Sequence, residues 1–122
     1  MEPKKKIFII DDDSFLLDMY ALKFSQSNFD VTTALGSEPA LEKLKSGFVP
    51  DVMLLDIVMP VMDGFQFLEE FEKLPDSVHQ KVKIIMLSSS ISPRDIDRAA
   101  SNRFVIKYLN KPLNSRYLQA IG

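Results

Sequence analysis

Val52-Met53-Leu54-Leu55-Asp56-Ile57-Val58-Met59-Pro60-Val61-Met62-Asp63-Gly64 is the stretch from which the fold is read. Four apolar residues run unbroken and meet a single acid. Pro60 and then Asp63-Gly64 mark a turn, and Asp63 with Gln66 has the spacing of a capping box. Beyond it Phe67, Phe71 and Leu74 recur at i, i+4, i+7, a helical spacing, until Pro75 ends the helix. A strand apolar on both faces followed by a helix is half of a β–α–β unit.

The same pattern repeats on either side. Ile7-Phe8-Ile9-Ile10, Ile84-Ile85-Met86-Leu87 and Phe104-Val105-Ile106 are further short apolar runs, and Phe29 to Ala34 is a weaker one. Phe15, Met19 and Leu22 give helical spacing after the first run. Leu41, Leu44 and Phe48 do so after the second, behind Ser37 as N-cap. Ser92-Pro93 opens a fourth helix with Pro at its first position. A short last helix is expected from Leu113 to Ile121, after Pro112. Strand and helix alternate five times, which predicts an α/β, doubly wound, five-stranded parallel sheet with five helices. The reading is one domain over residues 1–122, with no output domain.

Composition fits that picture. The 122 residues are 46% hydrophobic and 26% charged, an ordinary globular balance rather than a disordered or collagen-like one. A net charge of −2 gives no bulk reason to bind nucleic acid directly. Lys4-Lys5-Lys6 is read as a solvated strand entrance. The absence of Cys removes disulfides, thiolate catalysis and Cys-based zinc sites. No apolar run approaches the ~18 residues of a membrane span. The expectation is a cytoplasmic protein with no membrane contact. His79, in a polar segment after Pro75, is read as a surface residue.

In a doubly wound sheet the functional crevice lies at the carboxyl ends of the strands. The residues just past each run are therefore informative. Asp11-Asp12-Asp13 comes after the first, Asp56 after the third, Ser88-Ser89-Ser90 after the fourth and Asn110-Lys111-Pro112 after the fifth. Clustered carboxylates repel one another unless a cation joins them. With no His or Cys nearby, a hard, oxygen-preferring ion such as Mg²⁺ suits them. A cation, a lysine and a hydroxyl together form an assembly for holding phosphoryl oxygens. Asp56, alone on the central strand, is the candidate nucleophile, and an aspartate of this kind forms an acyl phosphate. Asp13 is read as structural, with Ser14 beginning the helix.

These pieces together resemble the response regulator receiver domain of two-component signal transduction, of the chemotaxis-regulator-like kind. The residues that carry the resemblance are Ile9 to Asp13, Leu54 to Pro60, Met62-Asp63-Gly64, Leu87-Ser88-Ser89 and Lys111-Pro112. They span almost the whole chain in order. The resemblance implies a flavodoxin-like strand order, 2-1-3-4-5. It implies that Asp56 accepts a phosphoryl group from a sensor histidine kinase or a phosphotransfer protein. Asp11, Asp12, Asp56 and the backbone carbonyl of Val58 would hold Mg²⁺ or Mn²⁺. Ser88 (with Ser89 as the neighbouring choice) and Lys111 would contact phosphoryl oxygens. Ser88 and Tyr108 would switch the face made by the fourth helix, the fifth strand and the fifth helix, which binds a downstream protein or a second copy. Pro112 would follow a cis peptide bond. Such a module catalyses only its own phosphorylation and dephosphorylation.

Two features depart from the family pattern. The turn Ala100 to Phe104 has no Gly, so Asn102 is expected to take the left-handed conformation. The interval from Ser88 to Lys111 is about one residue longer than is typical of the family. Val58 and Ser90 occupy positions that tune loss of the phosphoryl group, and Val58 predicts slow autodephosphorylation. Three rival functions fit the residues less well. An Asp-nucleophile phosphatase would carry an acid where Val58 stands. A flavodoxin-like cofactor carrier would need a Gly- and hydroxyl-rich loop where Asp11-Asp12-Asp13 stands. A phosphorylation-independent pseudo-receiver scaffold would not need the acid, hydroxyl and lysine set.

Overall fold

The computed structural model describes residues 5–57, 62–88 and 93–110. The chain runs β1 (Lys5–Asp11), α1 (Ser14–Gln26), β2 (Phe29–Leu35), α2 (Ser37–Lys45), β3 (Val52–Asp56), α3 (Gly64–Glu72), α4 (Asp76–Lys81), β4 (Lys83–Ser88), α5 (Pro93–Ser101) and β5 (Val105–Asn110). All neighbouring strands pair in parallel, in the order β2-β1-β3-β4-β5. This is the doubly wound parallel sheet that the alternation of runs predicts, in the flavodoxin-like order that the resemblance implies.

The central strands are covered on both faces, and their side chains split by parity. Phe8, Ile10, Met53, Leu55, Ile84 and Met86 point into one core, where α2 adds Leu41 and Leu44, α3 adds Phe67 and Phe71, and α5 adds Ala99. Ile7, Ile9, Val52, Leu54, Ile85 and Leu87 point into the other, against Leu17, Tyr20 and Phe24 of α1. Two cores on one sheet explain why the runs are continuously apolar rather than alternating. Lys5 and Lys6 open β1 exposed to solvent, as expected of a strand entrance. The capping box at Asp63 is present. Asp63 Oδ1 accepts from the Gln66 N–H at 2.9 Å, and Gln66 Oε1 accepts from the Asp63 N–H at 2.9 Å.

Several local expectations are corrected. The helix expected around Phe15, Met19 and Leu22 forms, but its buried face is Leu17, Tyr20 and Phe24, and Phe15 and Leu22 are 73% and 61% exposed. Both triplets have helical spacing, and the sheet selects the one bearing the fully buried Tyr20 and Phe24. α3 ends at Glu72, with Lys73 as its C-cap, so Leu74 falls outside it, and Pro75 instead opens α4, a short helix in a stretch whose sequence reads as loop. His79 lies on α4 and is no surface residue, since only 9% of its side chain is exposed. Its Nε2–H donates to the Phe71 carbonyl at 2.8 Å. Its ring lies 5.0 Å from that of Phe71 and 4.8 Å from that of Phe104. One polar tip is bonded and the ring packs in a three-ring cluster with Phe71 and Phe104, which meet edge-on at 5.3 Å, so a polar segment is pinned to the core.

Asn102 does not adopt a left-handed conformation; among the described non-glycine residues only Asn28 does, at φ 70°. The turn closes instead through the Asn102 side chain, whose Oδ1 accepts from the Phe104 N–H at 2.9 Å. The pairing of β5 is irregular within the interval from Ser88 to Lys111. Ile84 pairs with Val105 but Ile85 with Lys107, so β5 carries a bulge at Ile106 and Ser88 returns to register with Asn110. Lys4, the expected last helix and the bond before Pro112 lie outside the described residues.

Candidate functional site at the carboxyl edge of the sheet

Three strands deliver a polar residue to the same edge. β1 ends at Asp11, β3 at Asp56 and β4 at Ser88. The registers Ile10–Leu55 and Asp56–Leu87 align these ends. The Ile57 N–H donates to the Leu87 carbonyl at 3.0 Å, which carries the β3–β4 pairing just past Asp56. Asp11, Asp56 and Ser88 are buried there, and Asp12, one residue beyond β1, is exposed. The strand ends thus place acids where the backbone of a covered sheet would otherwise give way to solvent.

One carboxylate oxygen from each of Asp11, Asp12 and Asp56 can be chosen so that all three lie within 4.8 Å of one another. Oxygens opposite each other around Mg²⁺ are separated by about 4.2 Å, twice the ~2.1 Å metal–oxygen distance. The cluster is therefore close to the size of a coordination shell. Its donors are all hard oxygens, two of them desolvated, which suits a divalent Mg²⁺ or Mn²⁺ and offers nothing to a soft metal. Without a cation, three like charges repel across this space.

The neighbouring residues build this geometry. Asp13 is the N-cap of α1, accepting from the N–H groups of Phe15 at 3.0 Å and Leu16 at 3.3 Å. Its own N–H donates to Asp11 Oδ1 at 3.1 Å. Asp13 therefore belongs to the scaffold, as the sequence suggests, and it orients Asp11. On the other side Gly64 packs against the end of β3. A Cβ there would stand 2.7 Å from the Asp56 carbonyl oxygen and 3.0 Å from the Cα of Ile57. The Gly64 N–H donates to the Ile57 carbonyl at 2.8 Å and closes the loop between β3 and α3. Only a residue without a side chain permits that approach.

The structure brings together Asp11, Asp12 and Asp56, and sets Ser88 on the same edge. Tyr108 is half-buried on β5, opposite Met86 and packed against the core that α5 joins. Val58, Ser89, Ser90 and Lys111 lie outside the described residues. Sequence reasoning misses one neighbour of the site. Ser37, expected to be the N-cap of α2, is instead its first helical residue and buried. Its Oγ–H donates to the Met62 carbonyl at 2.7 Å. With Asp12, Leu35, Gly36, Pro39 and Met62 it borders a cavity of about 260 Å³.

Comparison with known proteins agrees with this geometry. The family model of the response regulator receiver domain matches residues 7–121. The chain is 32% identical over 116 residues to the transcriptional regulatory protein CpxR homolog of Haemophilus influenzae, covering 94% of this chain and 47% of that one. It superposes on a two component response regulator from Cytophaga hutchinsonii with a TM-score of 0.89 at 24% identity, covering 98% and 95% of the two chains. For the Vibrio cholerae chemotaxis protein CheY4 the TM-score is 0.83 at 26% identity, covering 97% and 95%. The chain spans about half the length of the curated relatives it matches.

Proposed function

Because the chain belongs to the response regulator receiver family, we propose that it is a phosphoacceptor switch in which Asp56 takes a phosphoryl group from the phosphohistidine of a kinase or phosphotransfer protein. The observation that carries this reading is the meeting of three carboxylates, two of them buried, beside the buried Ser88 at one sheet edge.

Asp11, Asp12 and Asp56, with the backbone carbonyl of Val58, would hold Mg²⁺. The bound ion supplies positive charge against the phosphoryl oxygens. An Asp56 carboxylate oxygen attacks phosphorus in line. The new O–P bond forms as the P–N bond breaks, and the imidazole nitrogen leaves with the electron pair. Ser88 donates its hydroxyl hydrogen to one phosphoryl oxygen, and Lys111 neutralises another. Those contacts draw the segment after β4 inward and favour a buried Tyr108, which shifts the population of the α5–β5 face. Ile96 on α5 and Ile106 on β5 leave apolar surface there for a downstream protein or a second copy.

Intact mass after incubation with a small acyl phosphate and Mg²⁺ tests the reading. The expected result is one phosphoryl adduct that requires Mg²⁺ and is absent in Asp56→Asn. A correctly folded native chain that gains no adduct from any donor overturns it in favour of a phosphorylation-independent scaffold.

A further inference from the structure

Ser37 has the side chain to cap α2, yet it does not do so. The cap position falls on Gly36, at φ 97°, and α2 begins with no side-chain cap bond. A serine placed one residue earlier would supply that bond. The hydroxyl is spent instead on the Met62 carbonyl, 25 residues away and 2.7 Å distant. The preceding residue does something parallel, since the Gly36 N–H donates to the Asp11 carbonyl at 2.8 Å. Two consecutive residues thus bond to the end of β1, at Asp11 with Asp12 next to it, and to Met62, two residues ahead of α3. The turn itself contributes no carboxylate to the cluster.

The cavity beside Asp12 gives this arrangement its weight. Ser37 and Met62 stand on its wall together with Asp12, so the described side chains leave that space open. The directed hydrogen bond from Ser37 to Met62 is the contact that joins the two there. We propose that the Gly36–Ser37 turn is a positioning staple that ties the end of β1, with Asp11 and Asp12, to Met62 ahead of α3, whose Gly64 packs on Asp56, and so tunes the affinity of the cluster for Mg²⁺. Ser37 is a positioning residue, acting through Met62 just ahead of α3, while Gly36 holds the end of β1 at Asp11. The proposal rests on the receiver reading of the site.

The test compares Ser37→Ala, Ser37→Cys and Ser37→Thr with the native chain. Mg²⁺ binding is followed by isothermal titration calorimetry, and thermal melting is recorded in chelator. Cys keeps the volume of Ser but donates weakly, so it stands in if the Ala variant fails to fold. Thr keeps the hydroxyl. Ala and Cys are expected to weaken Mg²⁺ binding about three- to tenfold, the factor for losing one buried hydrogen bond, with Thr within about twofold of native. Ala and Cys variants that melt lower but bind Mg²⁺ as the native chain does would overturn the staple and leave Ser37 a structural residue. A folded native chain that takes up no Mg²⁺ would bring down the receiver reading and the staple together.

Discussion

At Gly64 one missing methyl group decides how closely α3 approaches Asp56, the proposed phosphoacceptor. A Cβ would stand 2.7 Å from the backbone oxygen of Asp56, and backbone at the end of a central strand has no room to retreat. Gly64→Ala is expected to destabilise the fold by about 1–3 kcal/mol, the range for overpacking, and to slow phosphoryl uptake as Asp56 shifts. Chemical denaturation and the phosphorylation rate measure the two effects; an Ala variant as stable and as fast as native would show that the loop absorbs the strain. Two residues after Asp56 stands Val58, whose alkyl side chain cannot orient an attacking water. Val58→Asn is expected to shorten the lifetime of the phosphorylated chain about tenfold, the effect of roughly 1.4 kcal/mol on a barrier. An unchanged lifetime would remove Val58 from the control of decay. Asp11, Asp12 and Asp56 are legible from sequence because an acid that interrupts a covered strand needs a reason. Ser37 is not, because its partner Met62 lies 25 residues away and its type fits a cap equally well.

The helices show where periodicity stops deciding. On α1 two apolar triplets share helical spacing, and the one formed by Leu17, Tyr20 and Phe24 is buried. The Phe24 ring also meets Phe29 of β2 edge-on at 5.3 Å. Spacing alone cannot rank the triplets, because the choice depends on which one the sheet receives. Phe24→Ala is expected to cost about 3–5 kcal/mol, whereas Phe15→Ser stays within about 0.5 kcal/mol of native. Comparable losses for the two in urea denaturation would contradict the assignment of faces. The unforeseen α4 has the same root. Six mostly polar residues carry no amphipathic signal, and the helix is held by Val78 in the core and by His79 against Phe71 and Phe104. At the fifth strand, by contrast, the long interval from Ser88 to Lys111 is visible in sequence. Only the pairing register shows that β5 skips Ile106 between the residues that pair with Ile84 and Ile85.

For the whole molecule, the acid cluster sets binding against stability. Three carboxylates within 4.8 Å repel one another when no cation is present, and two of them are buried. Sites kept for function in this way weaken the fold that carries them. The protein is therefore expected to gain stability from Mg²⁺ by mass action, about 2.7 kcal/mol at a hundredfold excess over Kd. For a chain of this size that is a rise of about 10 °C in melting temperature. Asp12 is the informative position, because it is the exposed member of the three and its replacement leaves no cavity. Asp12→Asn should melt higher than the native chain in chelator, since it relieves repulsion, and should lose most of the rise that Mg²⁺ produces. The two effects have opposite signs in one variant, so a general loss of stability cannot imitate them. A variant that melts lower than native in chelator would mean that Asp12 serves the fold rather than the ion. One that keeps the full Mg²⁺ response would mean that the ion binds without it.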